Sequence, residues 1–366
     1  MEKRKRVYIC HTFYHEYVAF LKEMNLGKEH FNEATLILST MSNDFGDMKK
    51  RVEETGIFKD VYYFDEKEDV TSDEVMACHR DKGNIVLNLL QRIKYTKLLG
   101  KLQEDYIPVD LSEYEDIYVF CDSDPIAYYL CYKKLKYHAL EDGLNSGLND
   151  NQAMLSNVGA WPLKKFLARM GLIFIECGYS KYCIDYEVND ISKNYNPPKN
   201  IKECPFDSLY DNIGSEDHVI LTKVFLPNSE EVIKKLREKT EDKPGVMILT
   251  EPLCELPVRK KMFGDLIEQY GKDYSVIVKP HPRDLLDYAG EFPDTTVISG
   301  RFPMEVFNDI EGFVVEKLVS VVTQIEDVRF AKEIEYLGMD FMDKYEEPAI
   351  HRKQEYLEKS IEAKKK

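Results

Sequence analysis

The chain lacks an apolar run that approaches the length of a transmembrane helix, so no such helix is expected. It lacks an excess of positive charge. Fifty Lys and Arg stand against 66 Asp and Glu, a formal net charge of −16. Nucleic-acid binders carry the opposite balance, so no nucleic-acid partner is expected. A local basic cleft for a nucleotide can still sit within an acidic exterior. Paired cysteines are missing too. Cys10, Cys78, Cys121, Cys131, Cys177, Cys183, Cys204 and Cys254 contain no C-x-x-C and several fall in apolar runs. They read as reduced thiols in a cytoplasmic protein, not as a disulfide frame or zinc site. No G-x-G-x-x-G follows the first apolar run and no G-x-x-x-x-G-K-[ST] occurs, which argues against a dinucleotide cofactor and a P-loop.

What is present is a soluble globular composition, 43% hydrophobic and 32% charged over 366 residues, a length that suits two domains. The basic start, Met1 to Arg6, leads into too short an apolar stretch for a signal peptide. The basic tail, Lys364-Lys365-Lys366, reads as a solvated end that could add attraction to an anionic membrane face. Peripheral attachment to the inner face of the cell membrane and a homodimer are both compatible with the sequence.

Short apolar strands alternate with helical stretches, the pattern of α/β with parallel sheets. Strands are expected at 7–10, 34–38, 61–64, 117–121, 137–140 and 172–176, and helices at 11–23, 84–99 and 162–170. The polar stretch 189–217, with Pro197-Pro198, reads as a linker. Beyond it, strands are expected at 218–225, 246–250, 274–278, 296–299 and 319–322. Helices follow at 229–239, where Ser229 reads as the cap, and at 259–270, 303–308 and 354–366. The expected organisation is an N-terminal Rossmann-like domain 1–190, a linker 191–217, a C-terminal Rossmann-like domain 218–345 and a tail 346–366.

Lys279-Pro280-His281-Pro282 carries the most chemical information. Two prolines fix the histidine backbone at the end of an apolar strand, where open α/β sheets bind ligands. A rigid histidine beside a lysine suits a phosphate, as charged donor or as acid to a leaving group. Its bland counterpart is a strand-ending turn. Glu141-Asp142-Gly143 also ends a strand, and adjacent carboxylates in different surroundings allow one to act as a base; the glycine allows close approach. A solvated acidic turn reads the same way. Pro303 opens a short helix whose Glu305 could take a ribose diol or simply complement the helix dipole. Ser320 and Thr323 flank a turn able to hold a phosphate or merely to cap. His11, Tyr14 and His15 follow the first strand and could meet an acceptor. His11 and His15 share a helical face, but no third ligand has convincing spacing, so no metal site is expected.

Together these motifs resemble the bacterial sialyltransferases, most closely glycosyltransferase family 52. The resemblance runs from Cys10–His15 through Glu141-Asp142-Gly143 and Lys279–Pro282 to Phe302-Pro303-x-Glu305. It implies a GT-B fold, two Rossmann-like domains with a cleft between them. It implies inverting, metal-independent transfer of sialic acid from CMP-sialic acid to a galactose-terminated glycan of lipooligosaccharide or capsule, with no cofactor. His281, with Lys279 and Pro282, would meet the CMP phosphate. Pro303 and Glu305 would hold the ribose, and Thr323 the phosphate. Asp142 or Glu141 would be base or orienter. Where the family has paired hydroxyls, Val322 precedes Thr323, which shifts phosphate contact toward Ser320. Glu251 or Glu255 falls where some members place a further carboxylate, so the general base has several candidates. The alternatives are a hexosyltransferase of the same fold, a nucleotide-sugar epimerase, and a non-catalytic glycan-binding protein.

Overall fold

The computed structural model describes residues 3–120, 122–143, 153, 157, 160–194, 197–226, 228–298, 300–323, 325 and 328–351. Cys121, Ser299 and the expected helix 354–366 lie outside these. The chain divides into two compact units, Met1–Gly214 and Ser215–Lys366.

The first unit is built on seven parallel strands in the order β3-β2-β1-β4-β5-β6-β7. They are β1 (Arg4–Cys10), β2 (Ala34–Ser39), β3 (Phe58–Phe64), β4 (Tyr114–Phe120), β5 (Tyr137–Leu140), β6 (Cys183–Val188) and β7 (Ile201–Glu203). Strands covered by helices on both faces become continuous apolar runs. Accordingly Val7–Cys10 and all of β2 are buried. Val7 pairs with Thr35 on one side and Ile117 on the other, so β1 is central. The chain leaves it once toward β2 and returns on the other side at β4, which makes the carboxyl ends of β1 and β4 a switch point.

Local signals set the helices. Thr12 caps Phe13–Leu26 by accepting from the His15 amide. Pro125 opens Pro125–Lys133 behind Asp124. That helix packs closely on Ile85–Leu102 because Gly100 lets them approach; a Cβ there would meet the Tyr128 carbonyl at 2.5 Å.

The second unit has five parallel strands in the order β10-β9-β8-β11-β12. They are β8 (Gly245–Leu249), β9 (Ser275–Lys279), β10 (Thr296–Val297), β11 (Val315–Ser320) and β12 (Ala331–Tyr336). Helices Ser229–Thr240 and Leu256–Gly271 follow the expected places, with Asn228 rather than Ser229 at the cap position.

Three stretches differ from the sequence reading. Residues 218–225 belong to a helix, Ser215–Phe225. A stretch of eight residues with five apolar ones fits either period. Glu216 and Asp217 in the first turn favour the helix, and Leu221 and Phe225 fall on one buried face. Residues 172–176 form no strand, although Ile173, Phe174 and Ile175 are buried; β6 takes the sheet position instead. The expected linker contributes β7, which pairs with β6, and helix Phe206–Asp211, so the division falls at Gly214. Asn and Pro mark its turns, but the sheet edge organises it. β12 has too few apolar residues for the sequence to announce it.

Candidate active site

At the strand ends of the first unit, polar side chains converge. His11 follows β1, Ser39 ends β2, Glu66 follows β3, Asp122 and Asp124 follow β4, and Asp142 follows β5. His11 Nε2 lies 2.7 Å from Glu66 Oε2 and 3.4 Å from Asp124 Oδ2. Glu66 also accepts from Ser39 Oγ at 2.6 Å and from the Ile126 amide at 2.6 Å. Burial disfavours the His11 cation, but Glu66 and Asp124 outweigh it and raise its pKa to about 9. Burial, with Glu66 and Asp142 adding to it and His11 opposing, lifts Asp124 to about 7. Burial likewise lifts Asp122 to about 6, although it accepts from the Cys177 and Gly178 amides and the Tyr137 hydroxyl.

His15 is fully enclosed and stacks on Phe120 at 4.7 Å. Its Nδ1 accepts from the His11 amide at 3.1 Å. The proton is therefore assigned to Nε2, which donates to the Asp142 carbonyl and Oδ1, each at 2.9 Å. Burial, opposed by Asp142, lowers the His15 pKa, so the ring is neutral. Asp142 keeps 47% of its side chain exposed. It is the accessible carboxylate of the cluster, held by a histidine that only donates to it.

Glu141 points elsewhere. Its Oε1 accepts from the Asn189 amide at 2.9 Å, and it lines a pocket with Tyr14, Phe120, Leu140 and Phe206. Tyr14 is half-buried there and faces Phe206 at 6.3 Å. A Cβ on Gly143 would meet open space, so crowding does not demand that glycine.

In the second unit, Thr250, just after β8, accepts from the His281 amide at 3.2 Å and donates to Asp284 Oδ2 at 2.7 Å. Asp284 also takes Arg259 at 2.6 Å, the Tyr288 hydroxyl at 2.9 Å and the Leu286 amide at 3.1 Å. This buried hub fixes the loop carrying His281. The Arg283 amide donates to His281 Nδ1 at 3.1 Å, which assigns the ring proton to Nε2. Burial, aided by the Arg283 and Lys279 cations, lowers the His281 pKa to about 4. His281 is thus a neutral donor at the carboxyl end of β9.

Lys279 differs from its expected role. Its side chain is buried, bonds the Pro280 carbonyl at 2.9 Å and lies 4.2 Å from the Phe302 ring centre. Burial, opposed by Glu305, lowers its pKa to about 7. It braces the 300–305 turn rather than offering a free ammonium to a phosphate. Pro303 caps the short helix Met304–Asp309, and Glu305 within it is 6% exposed. Pro282 is half-buried and Glu255 is exposed ahead of helix Leu256–Gly271.

The turn after β11 holds an anion of its own. Glu251 accepts from the Thr323 amide at 2.6 Å, the Val322 amide at 3.0 Å and Ser320 Oγ at 3.0 Å. Ser320 is fully buried, so it does not present its hydroxyl outward, while Thr323 is exposed. Of the two candidate acids here, Glu251 is committed to the turn and Glu255 is unburied.

Several expectations change. His11 and His15 are 3% and 0% exposed, so they orient carboxylates rather than line an open acceptor surface. Glu66, Asp124, Asp284 and Arg259 were not singled out by sequence. An acid just past an apolar strand was the available signal for Glu66 and Asp124. Among the described residues, His138, Asp185 and Glu187 bring donor atoms within 4.8 Å of one another, a spacing a metal ion could use. Glu187 is already engaged by Lys22 at 2.5 Å and Lys202 at 3.3 Å, and the trio sits on β5 and β6, apart from the strand-end clusters.

Two parallel α/β units, each with polar groups gathered at its strand ends, are the architecture of the GT-B glycosyltransferases. The chain belongs to glycosyltransferase family 52, whose sequence model it matches over residues 59–322. Among solved structures it is similar to a sialyltransferase from Photobacterium damsela, at 12% identity and TM-score 0.52, over 91% of this chain and 74% of that one. It is also similar to a putative UDP-N-acetylglucosamine 2-epimerase from Listeria monocytogenes, at 12% identity and TM-score 0.46, over 88% and 75%. No curated protein sequence matches it.

Proposed function

We propose that this enzyme is an inverting, metal-independent sialyltransferase that moves sialic acid from CMP-sialic acid to a galactose-terminated glycan of lipooligosaccharide or capsule, acting in the cytoplasm. Asp142, held by His15, takes the proton from the acceptor hydroxyl as its oxygen attacks the anomeric carbon. The bond to the CMP phosphate breaks, and the electron pair leaves on a phosphate oxygen. His281 donates Nε2–H to that oxygen, and Thr323 offers its hydroxyl. Glu305, on the turn braced by Lys279, takes the ribose. A neutral donor aimed at developing charge stabilises the leaving group without a metal ion.

The observation that carries this reading is the hydrogen bond from the Arg283 amide to His281 Nδ1, which assigns the ring proton to Nε2. A backbone amide on Nδ1 leaves Nε2–H as the ring's donor in a family 52 chain. A nucleotide panel tests it. CMP should raise the melting temperature and UDP should not, since a ligand that binds only the folded chain stabilises it by RT ln(1 + [L]/Kd). Sialyl-lactose should then form from lactose and CMP-sialic acid. Stabilisation by UDP alone would point to a hexosyl donor, and no stabilisation by any nucleotide would remove the enzymatic reading.

A further inference from the structure

Two neighbouring helices of the first unit turn apolar side chains outward. On Trp161–Arg169, Leu163, Phe166 and Met170, the last just past its end, recur at helical spacing on one face, and all three are exposed, Phe166 by 59%. Ala168 is the residue this helix buries. On Ile85–Leu102, Ile85, Val86 and Leu90 are exposed, Val86 by 60%. The helices are adjacent: Ile93 of one and Leu167 of the other pack on the same core, and Arg92 lies close enough to disfavour the Lys164 cation, which burial already weakens. Single exposed apolar residues are ordinary, but such a grouping is not.

The charges carried by these two helices share one sign. Ile85–Leu102 carries Arg92, Lys94, Lys97 and Lys101; Trp161–Arg169 carries Lys164, Lys165 and Arg169. Neither helix contains Asp or Glu, in a chain of net charge −16. Lys94 is paired with Glu74 at 3.1 Å, and Lys165 lies over the Trp161 ring. Two acids reach this face from outside the helices, Glu74 at Lys94 and Asp81, which accepts from Asn88 at 2.7 Å. An apolar stripe flanked mostly by cations is the pattern of a helix lying in a lipid interface. A second copy meeting this face through a two-fold axis would set cations against cations.

We propose that this face, centred on Leu163, Phe166 and Met170, docks the enzyme on an anionic lipid bilayer. The apolar side chains enter the headgroup boundary and the lysines and arginines meet anionic headgroups. The docking is independent of which sugar is transferred.

The full-length protein is sedimented with vesicles of phosphatidylcholine and phosphatidylglycerol, and with phosphatidylcholine alone. Partitioning should be about tenfold stronger on the anionic vesicles and weaken with added salt. Leu163→Ser/Phe166→Ser/Met170→Ser should lose about tenfold in partitioning. Lys165→Glu/Arg169→Glu should lose a similar factor, while both variants keep the melting temperature and the turnover of a soluble acceptor. Equal partitioning on both vesicle types, no partitioning at all, or variants that bind as tightly as the parent would overturn the proposal. So would sedimentation equilibrium showing that the triple variant dissolves a dimer, since the face would then be a protein interface.

Discussion

Replacing His281 by Gln isolates the role assigned to a neutral ring. In the folded chain its pKa is lowered from 6.5 to about 4, chiefly by burial. An unfolded chain takes a proton on this group as pH falls below 6.5, while the folded one does so only near 4. Stability from this site is therefore fully present above pH 6.5 and is lost on acidification toward pH 4. The fall from 6.5 to about 4 corresponds to at most about 3 kcal/mol, because the ring is partly accessible. His281→Gln should remove that acid sensitivity, so its stability should fall less than the parent's between pH 6.5 and 4 in urea titrations. In catalysis, loss of one preorganised donor to a developing oxyanion costs about 10²–10³ in kcat. Gln can offer an N–H but not from the same place, so His281→Ala should lose that whole range and His281→Gln less. The assay is transfer from CMP-sialic acid to lactose at pH 7.5, with the stability series run in parallel. Turnover of His281→Ala within fivefold of the parent would refute the donor role. An unchanged acid dependence in His281→Gln would refute the buried neutral ring.

Other substitutions test the supporting contacts. His15→Ala removes the donor to Asp142 and the Phe120 stack and orphans the His11 amide; it should cost about 3–5 kcal/mol and lower kcat more than it raises KM, read by urea unfolding and steady-state kinetics. Glu251→Ala leaves the Val322 and Thr323 amides without their acceptor, while the Ser320 hydroxyl keeps the Thr323 carbonyl, for a loss of about 2–4 kcal/mol. Phosphate should then raise its melting temperature more than the parent's, and an equal shift would mean the turn does not accept an external anion. Arg259→Ala strands the buried Asp284 carboxylate and should cost about 3–5 kcal/mol, with loss of CMP binding as the His281 loop loosens, measured by calorimetry.

Much of the placement of the candidate site was legible because strand ends are written locally. An apolar run followed by Lys-Pro-His-Pro or Glu-Asp-Gly marks a parallel strand and the point where its carboxyl end opens. Both motifs stand where the pattern put them, after β9 and β5. Secondary structure failed where period and partner disagree. Residues 218–225 are apolar enough for a strand, and 201–203 too polar to announce one, yet a buried face decides the first and a vacant sheet edge the second.

The roles within the site were less legible. Sequence spacing places His11 and His15 on one helical turn, but it cannot say that Glu66 and Asp142 meet them from strands 55 and 127 residues away. Nor can it say that Glu251 reaches across 72 residues into the turn expected to hold a phosphate. The sequence by itself determined the class of fold, the family and the positions where chemistry could occur, since periodicity, turn residues and short motifs are local properties. Only the tertiary structure decided which groups are charged, which are donors and which are sealed inside. Those depend on burial and on partners distant along the chain, and they turn Lys279 from a ligand into a brace and His15 from a contact into the support of Asp142.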